Sequence, residues 1–275
     1  MSMHWMIGFM ILAAAWQQGQ TPAQKGSDAK APYVERSEKE FAFYPGGSIE
    51  ISAAAPGNVK VAGWTNAGVK VEIEKVFFYL SPDEARAASR QFPVSVTNTP
   101  TSVHISTSGS KQPRATMEVN LQVYVPAQKT DLAIRMIKGD LAITGLNGSM
   151  EATLEEGNLE AINVAGYYSA TTKRGDLIVE LSGKTWIGHS FTAATGQGNV
   201  NLRLPSDYSA TLQLETKAGN ISIDYPPQIV DGESVPLQVL AKKLIRSVSA
   251  PIGAGGTSVK LATQSGDITL TSKKQ

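Results

Sequence analysis

The sequence predicts an all-β protein, in the form of a single-stranded β-solenoid (β-helix-like) of stacked 18–23-residue coils with one short helix near residues 82–91. Three observations predict it. Glycines recur every nine residues at Gly139, Gly148, Gly157, Gly166 and Gly175. An Asp or Asn follows six anchor glycines, at Gly139-Asp140, Gly157-Asn158, Gly175-Asp176, Gly198-Asn199, Gly219-Asn220 and Gly266-Asp267. The flanks of those six anchors align without gaps into apolar columns.

Seven residues before each anchor stand Leu132, Met150, Tyr168, Phe191, Leu212 and Val259. Five before stand Ile134, Ala152, Ala170, Ala193, Leu214 and Leu261, and three before stand Met136, Leu154 and then Thr172, Thr195, Thr216 and Thr263. Two after come Leu141, Leu159, Leu177, Val200, Ile221 and Ile268; four after come Ile143, Ala161, Val179, Leu202, Ile223 and Leu270. Alternate residues of a strand point to one side, so each copy supplies two short strands sharing an apolar face. Glycine permits a positive φ at the corner, and the Asp or Asn after it can hydrogen-bond the turn's backbone. One such unit buries too little to offset the entropy of ordering it. Stacking on neighbours must supply the remainder, with the copies following one another in chain order. Ile51 to Val61, with Pro56-Gly57-Asn58, reads as a seventh, degenerate copy.

The other elements follow from local pattern. Ile49-Glu50-Ile51, Val59-Lys60-Val61 and Val69-Lys70-Val71-Glu72-Ile73 alternate as strands do, and Thr116 to Pro126 is the longest alternating run. Ser81-Pro82-Asp83-Glu84 is a capping box with Pro at the first helical position, and Phe92-Pro93 ends the helix. Insertions at 182–190 and 224–258 break the register of the copies, and one or two irregular strands fit the second.

Trp5 to Trp16 is an apolar run ending near Ala13-Ala14-Ala15, the pattern of an export signal and too short to span a bilayer. Residues 1–15 are therefore expected to be a signal peptide, 16–40 a flexible polar leader, and 41–272 the solenoid domain. Export places the mature chain in the periplasm, at the cell surface or outside the cell, with no membrane insertion after the signal is cleaved.

Composition narrows the function. Net charge is +1 with scattered basic residues, which gives no stripe for displacing counterions from phosphates, so no nucleic-acid partner is expected. The local cluster Lys242, Lys243 and Arg246 reads as a solvated strand or turn face. Absence of cysteine excludes thiolate metal sites, thiol nucleophiles and disulfides. No cofactor, metal site or catalytic residue is predicted. The Gly-Asp/Asn steps offer one carboxylate or amide per coil, too few oxygens for the calcium-binding nonapeptide turns. His104 should face away from the core, and Glu155-Glu156 reads as a solvated corner. Trp186 and His189, on the first insertion, are the candidate ligand contacts, because insertions in repeat folds map to loops on one face. The competing reading makes Trp186 an aromatic cover over the edge of the stack.

Pro45-Gly46-Gly47-Ser48-Ile49-Glu50, the Ser81–Arg90 helix, Val123-Tyr124-Val125-Pro126 and Ser265-Gly266-Asp267-Ile268 resemble, in order and spacing, the bacterial putative-adhesin (β-strand-repeat, adhesin-like) domain family. The resemblance covers residues 41–272 and implies a β-solenoid at the cell envelope or beyond, with no catalytic residues to carry over. It leads to a non-enzymatic, adhesin-like interaction protein that presents a rigid surface to a protein or glycan. The alternative is a carbohydrate-active β-helix enzyme, which requires carboxylates converging in a groove.

Overall fold

The computed structural model describes residues 31–44, 46–108, 117–230 and 233–273. The expected signal peptide lies outside the described residues.

In chain order the strands are β1 (Tyr33–Ala42), β2 (Ser48–Ala53), β3 (Val59–Trp64), β4 (Gly68–Phe77), β5 (Val94–Thr99), β6 (Ser102–Thr107) and β7 (Met117–Pro126). The repeats follow as β8 (Gln128–Lys138), β9 (Leu141–Thr144), β10 (Asn147–Glu156), β11 (Leu159–Ile162), β12 (Ala165–Arg174), β13 (Leu177–Glu180), β14 (Gly188–Gln197) and β15 (Val200–Pro205). The C-terminal part holds β16 (Ala210–Thr216), β17 (Ile221–Asp224), β18 (Gln228–Val230), β19 (Glu233–Val235), β20 (Leu240–Lys242), β21 (Ile245–Ile252), β22 (Ser258–Ser265) and β23 (Ile268–Lys273). The one helix among the described residues, α1 (Pro82–Gln91), has the expected capping box: the Glu84 amide donates to Ser81 Oγ at 3.3 Å and the Ser81 amide to Glu84 Oε2 at 2.7 Å. On β4, the largely buried Lys75 ammonium donates to Ser89 O and Ser89 Oγ, which ties the helix to that strand.

Two open sheets are built from these strands. One runs β1-β4-β7-β3-β9-β11-β13-β15-β23-β17 and the other β20-β21-β16-β22-β14-β12-β10-β8-β2-β6-β5. Their inward side chains form one hydrophobic core. Each copy of the repeat supplies one strand to each sheet, so the sheets advance together as layers. Register follows the alignment: Leu132, Met150, Tyr168, Phe191, Val259 and Leu212 are successive neighbours in one sheet. All residues of the five columns are buried except Ile221 and Ile223, on the edge strand β17.

The order of layers departs from chain order at both ends. It runs β6/β7, β2/β3, β8/β9, β10/β11, β12/β13, β14/β15, β22/β23, β16/β17. The sixth copy, which ends the chain, is thus inserted between the fourth and fifth, with parallel partners on both sides. The degenerate copy β2/β3 likewise sits one place inside β6/β7. Strict serial stacking is corrected to this interleaved order, in which the last strands laid down complete the ladder for four others.

Two further expectations are corrected. Ordered structure begins well before residue 41, because β1 pairs with β4 from Tyr33 to Ala42, so the C-terminal part of the expected flexible leader is an edge strand. Its Glu-Arg-Ser-Glu-Lys-Glu run is the charged dressing that keeps a sheet edge from recruiting another chain. The second insertion holds four strands rather than one or two: β18 and β19 pair as a small arm, while β20 and β21 extend the sheet antiparallel from β16.

Candidate functional site

The corner chemistry differs from a closed turn. The backbone N–H of each anchor Asp or Asn donates not within its own turn but to the side-chain oxygen of its counterpart one layer away. Through the stack the accepting oxygens belong to Asn120, Asn58, Asp140, Asn158, Asp176, Asn199 and Asp267, at 2.7–3.0 Å, and the series ends at the Asn220 amide. A second column runs beside it, where Thr172, Thr195, Thr216 and Thr263 hydroxyls donate to glycine carbonyls of the adjoining layer at 2.8–3.0 Å. Layers approach so closely that a Cβ on Gly157, whose φ is +145°, would overlap the Gly139 carbonyl oxygen. The anchors are therefore structural ties between layers, already committed to backbone amides.

At the N-terminal end the ladder opens into a groove of about 530 Å³ on the outer face of β1, β4, β7 and β3, lined by polar side chains including Arg36, Lys60, Glu72, Glu74, Asn120 and Gln122. Strand alternation puts these residues outside because Val59, Val61, Val71, Ile73, Val119, Leu121 and Val123 take the core side. The groove's charges hold one another in place. Arg36 Nε donates to Glu74 Oε2 at 2.8 Å, and Asn120 Nδ2 donates to Glu74 Oε1 at 3.3 Å. Lys70 bridges Glu72 at 2.8 Å and Glu38 at 3.2 Å. The Arg36 hydrogen bond first, and that of Asn120 second, holds the Glu74 carboxyl below the usual carboxylate range. Glu72, with Glu38 after it, pushes the Lys70 ammonium up. Asn120 has a double role: its Oδ1 starts the anchor ladder while its Nδ2 fixes Glu74.

The two candidates on the first insertion are not brought together as a site. Trp186 is only 4% exposed; its ring packs edge-on against Phe191 at 5.2 Å and its Nε1 donates to Gly166 O at 3.2 Å. The indole covers the core where Tyr168 and Phe191 stack at 4.5 Å. His189 is exposed at the start of β14. His104 faces outward as expected, with Nδ1 3.4 Å from Glu50 Oε2. Glu155 and Glu156 do lie at a solvated corner, paired with Lys173 and with Lys138 and Arg174 of the neighbouring layers. Sequence reasoning missed Arg36, Glu74 and Asn120. The signal for Arg36 was weak, because an edge strand dressed in charge has the composition of a linker. Asn120 could have been found as the amide standing between apolar Val119 and Leu121.

A model of the Toastrack DUF4097 family matches residues 48–271, nearly the whole of the layered region just described. The chain belongs to the Toastrack DUF4097 family. Several solved structures align along most of this Toastrack chain. A putative cell adhesion protein from Clostridium sporogenes is 11% identical, with a TM-score of 0.45, covering 87% of this chain and 100% of its own. A putative adhesin from Bacteroides fragilis is 11% identical, with a TM-score of 0.29 and coverage of 87% and 97%. A putative lipid binding protein from Parabacteroides distasonis is 12% identical, with a TM-score of 0.28 and coverage of 88% and 97%. Among curated proteins none matches significantly. Among the described residues of the Toastrack domain, no helix is long and apolar enough to cross a membrane, and no three His, Asp or Glu side chains are grouped as a metal site.

Proposed function

We propose that this protein is a non-enzymatic, adhesin-like interaction protein, exported to the cell envelope or secreted, whose stacked layers act as a rigid solenoid surface for a glycan or protein partner. The observation that carries the proposal is the N-terminal groove. It is open and polar, and its Arg36–Glu74–Asn120 and Lys70–Glu72–Glu38 pairs set its shape before any ligand arrives. Preorganised hydrogen-bonding groups on a stiff sheet suit polar ligands, because little ordering entropy remains to be lost on binding. The same pairing disfavours a polysaccharide-cleaving role. A general acid needs a carboxyl whose pKa is raised, whereas Arg36 and Asn120 hold Glu74 down. The 182–190 insertion enters this reading through the exposed His189 and Ile187, not through the packed Trp186.

The test is binding of the purified full chain to a glycan panel and to cell-wall preparations, with Lys60→Ala and Gln122→Ala as groove variants that leave the ion pairs intact. Loss of binding in these variants, with melting unchanged, supports the groove as the contact surface. Undiminished binding removes the groove from the proposal, and turnover of any polysaccharide by the native chain overturns the non-enzymatic reading. Cell fractionation that finds the chain in the cytoplasm overturns the exported role.

A further inference from the structure

Between Glu233 and Asp267 the chain carries no acidic residue and four cations, Lys242, Lys243, Arg246 and Lys260. Three of the four cluster on the hairpin of β20 and β21, whose turn holds Lys243 at a φ of 56°. The same hairpin exposes Leu240 at 61%, Leu244 at 71% and Ile245 at 40%. Strand register pairs Lys242 with Ile245 across the hairpin, and alternation places Leu240 beside Lys242 on that face. Nearby, the β18–β19 arm exposes Ile229 at 71%, and an apolar groove of about 330 Å³ lined by Ile229, Val235, Pro236, Leu240 and Pro251 runs between arm and hairpin. Half of the large apolar side chains exposed on the described surface fall between residues 229 and 245. Lys242, Lys243 and Arg246 have no ion-pair partner among the described residues, in contrast to the paired charges of the N-terminal groove. The adjoining strand β16 contributes Glu215, opposite Ser247, and Lys217 beyond it.

We propose that this C-terminal hairpin docks on an anionic lipid surface. Exposed leucine and isoleucine at a tip, interleaved with unpaired lysines, is the chemistry that seats a peripheral protein at a headgroup boundary: the apolar side chains enter the interface while the cations meet lipid phosphates. Charge complementarity selects a membrane over a second copy of this chain, since two such tips brought together would confront six cations. The free edge of β20 is three residues long and carries Lys242, a poor template for pairing with another strand. The site lies in the C-terminal insertion, far along the chain from the groove of β1, β4, β7 and β3, so the two proposals fail or succeed separately.

The experiment is co-sedimentation of the full chain with vesicles of phosphatidylglycerol and phosphatidylcholine, against vesicles of phosphatidylcholine alone. Any contribution from the apolar segment at residues 5–16 is common to all variants, so the comparison is between variants of one chain. Binding is expected to prefer the anionic vesicles and to weaken with salt. Lys242→Gln with Lys243→Gln should lower it about 25-fold, as each cation near an anionic surface is worth roughly fivefold. Leu240→Ser with Leu244→Ser should lower it further, and the melting temperature should not move because these side chains are exposed. In a Leu244→Trp variant, tryptophan emission should shift to the blue on adding anionic vesicles. Unchanged binding in both double variants, or no shift in emission, overturns the proposal. So does a dimer in solution that Leu244→Ser dissociates, because the tip would then be a contact between copies.

Discussion

Replacing Asn158 by Asp tests whether the interleaved layer order is reflected in the charges of the anchor ladder. In space the anchors read Asn58, Asp140, Asn158, Asp176, Asn199, Asp267, Asn220, a strict alternation of amide and carboxylate. Layers lie about 4.8 Å apart, the spacing of hydrogen-bonded strands, so native carboxylates are kept two layers from one another. Asn158→Asp preserves the acceptor that receives the Asp176 amide and leaves the Asn158 amide free to donate to Asp140. What changes is charge: two new carboxylate pairs one layer apart, with Asp140 and with Asp176. In water-like surroundings each pair costs about 0.9 kcal/mol, and screening in physiological salt reduces the sum to about 1 kcal/mol. For a domain of this size that lowers the melting temperature by about 2–4 °C. Asn220→Asp, at the end of the ladder with Asp267 as its sole ladder neighbour, should cost about half as much. Crowding raises the pKa of the introduced carboxyl in the folded state, so the penalty is full above that pKa and disappears as pH falls below the carboxylate range. Denaturant melts at neutral and acidic pH, in low and high salt, provide the assay. A loss that persists at acidic pH, or that ignores salt, would refute the electrostatic reading and assign the effect to geometry.

Other consequences are as direct. Tyr168 is fully buried, its hydroxyl has no hydrogen-bond partner among the described residues, and burial pushes its phenol pKa up; Tyr168→Phe keeps the stack on Phe191 and should stabilise the fold by about 1 kcal/mol in urea titrations. Gly157→Ala adds a Cβ at a positive φ against the Gly139 carbonyl, and should cost about 3 kcal/mol or more by the same measurement, well beyond an ordinary surface change. Ending the chain at residue 256 removes β22 and β23, leaves β14, β15 and β16 each with one ladder edge open, and strips the edge strand β17 of its ladder partner. That variant should aggregate or lose cooperative unfolding, seen by light scattering and circular dichroism, although it deletes only the last layer in the sequence.

The difference between that last layer's place in the chain and its place in the stack separates what was legible from what was not. Inward columns can be read from sequence because burial acts on each strand alone: alternation at Leu132, Ile134 and Met136 has the same meaning whatever lies beside it. Neighbour identity is a relation between strands, and all six copies carry nearly the same columns, so register alone accepts the sixth copy beside the fourth as readily as beside the fifth. One trace of the true order is present. In chain order the anchors read Asp140, Asn158, Asp176, Asn199, Asn220, Asp267, with two amides in succession and then a carboxylate. Exchanging the last two copies restores the alternation, and that exchange is the one the structure makes. The candidate groove was hidden for a related reason. Arg36 belongs to an edge strand whose solvent-facing charges erase its periodicity; its partner Glu74 lies 38 residues away, and Asn120, which donates to the other oxygen of Glu74, lies 46 beyond that, all brought within reach only when β1 and β7 flank β4. The exposed hairpin at 240–246 was visible as a cationic cluster, but not as an apolar one. Leu240, Leu244 and Ile245 would be assigned to a core by any reading of hydropathy, and their exposure is a fact of position alone. Where a buried-looking side chain is left in solvent next to unpaired lysines, sequence pattern and structure disagree, and in this chain that disagreement marks the surface with the most to gain from a partner.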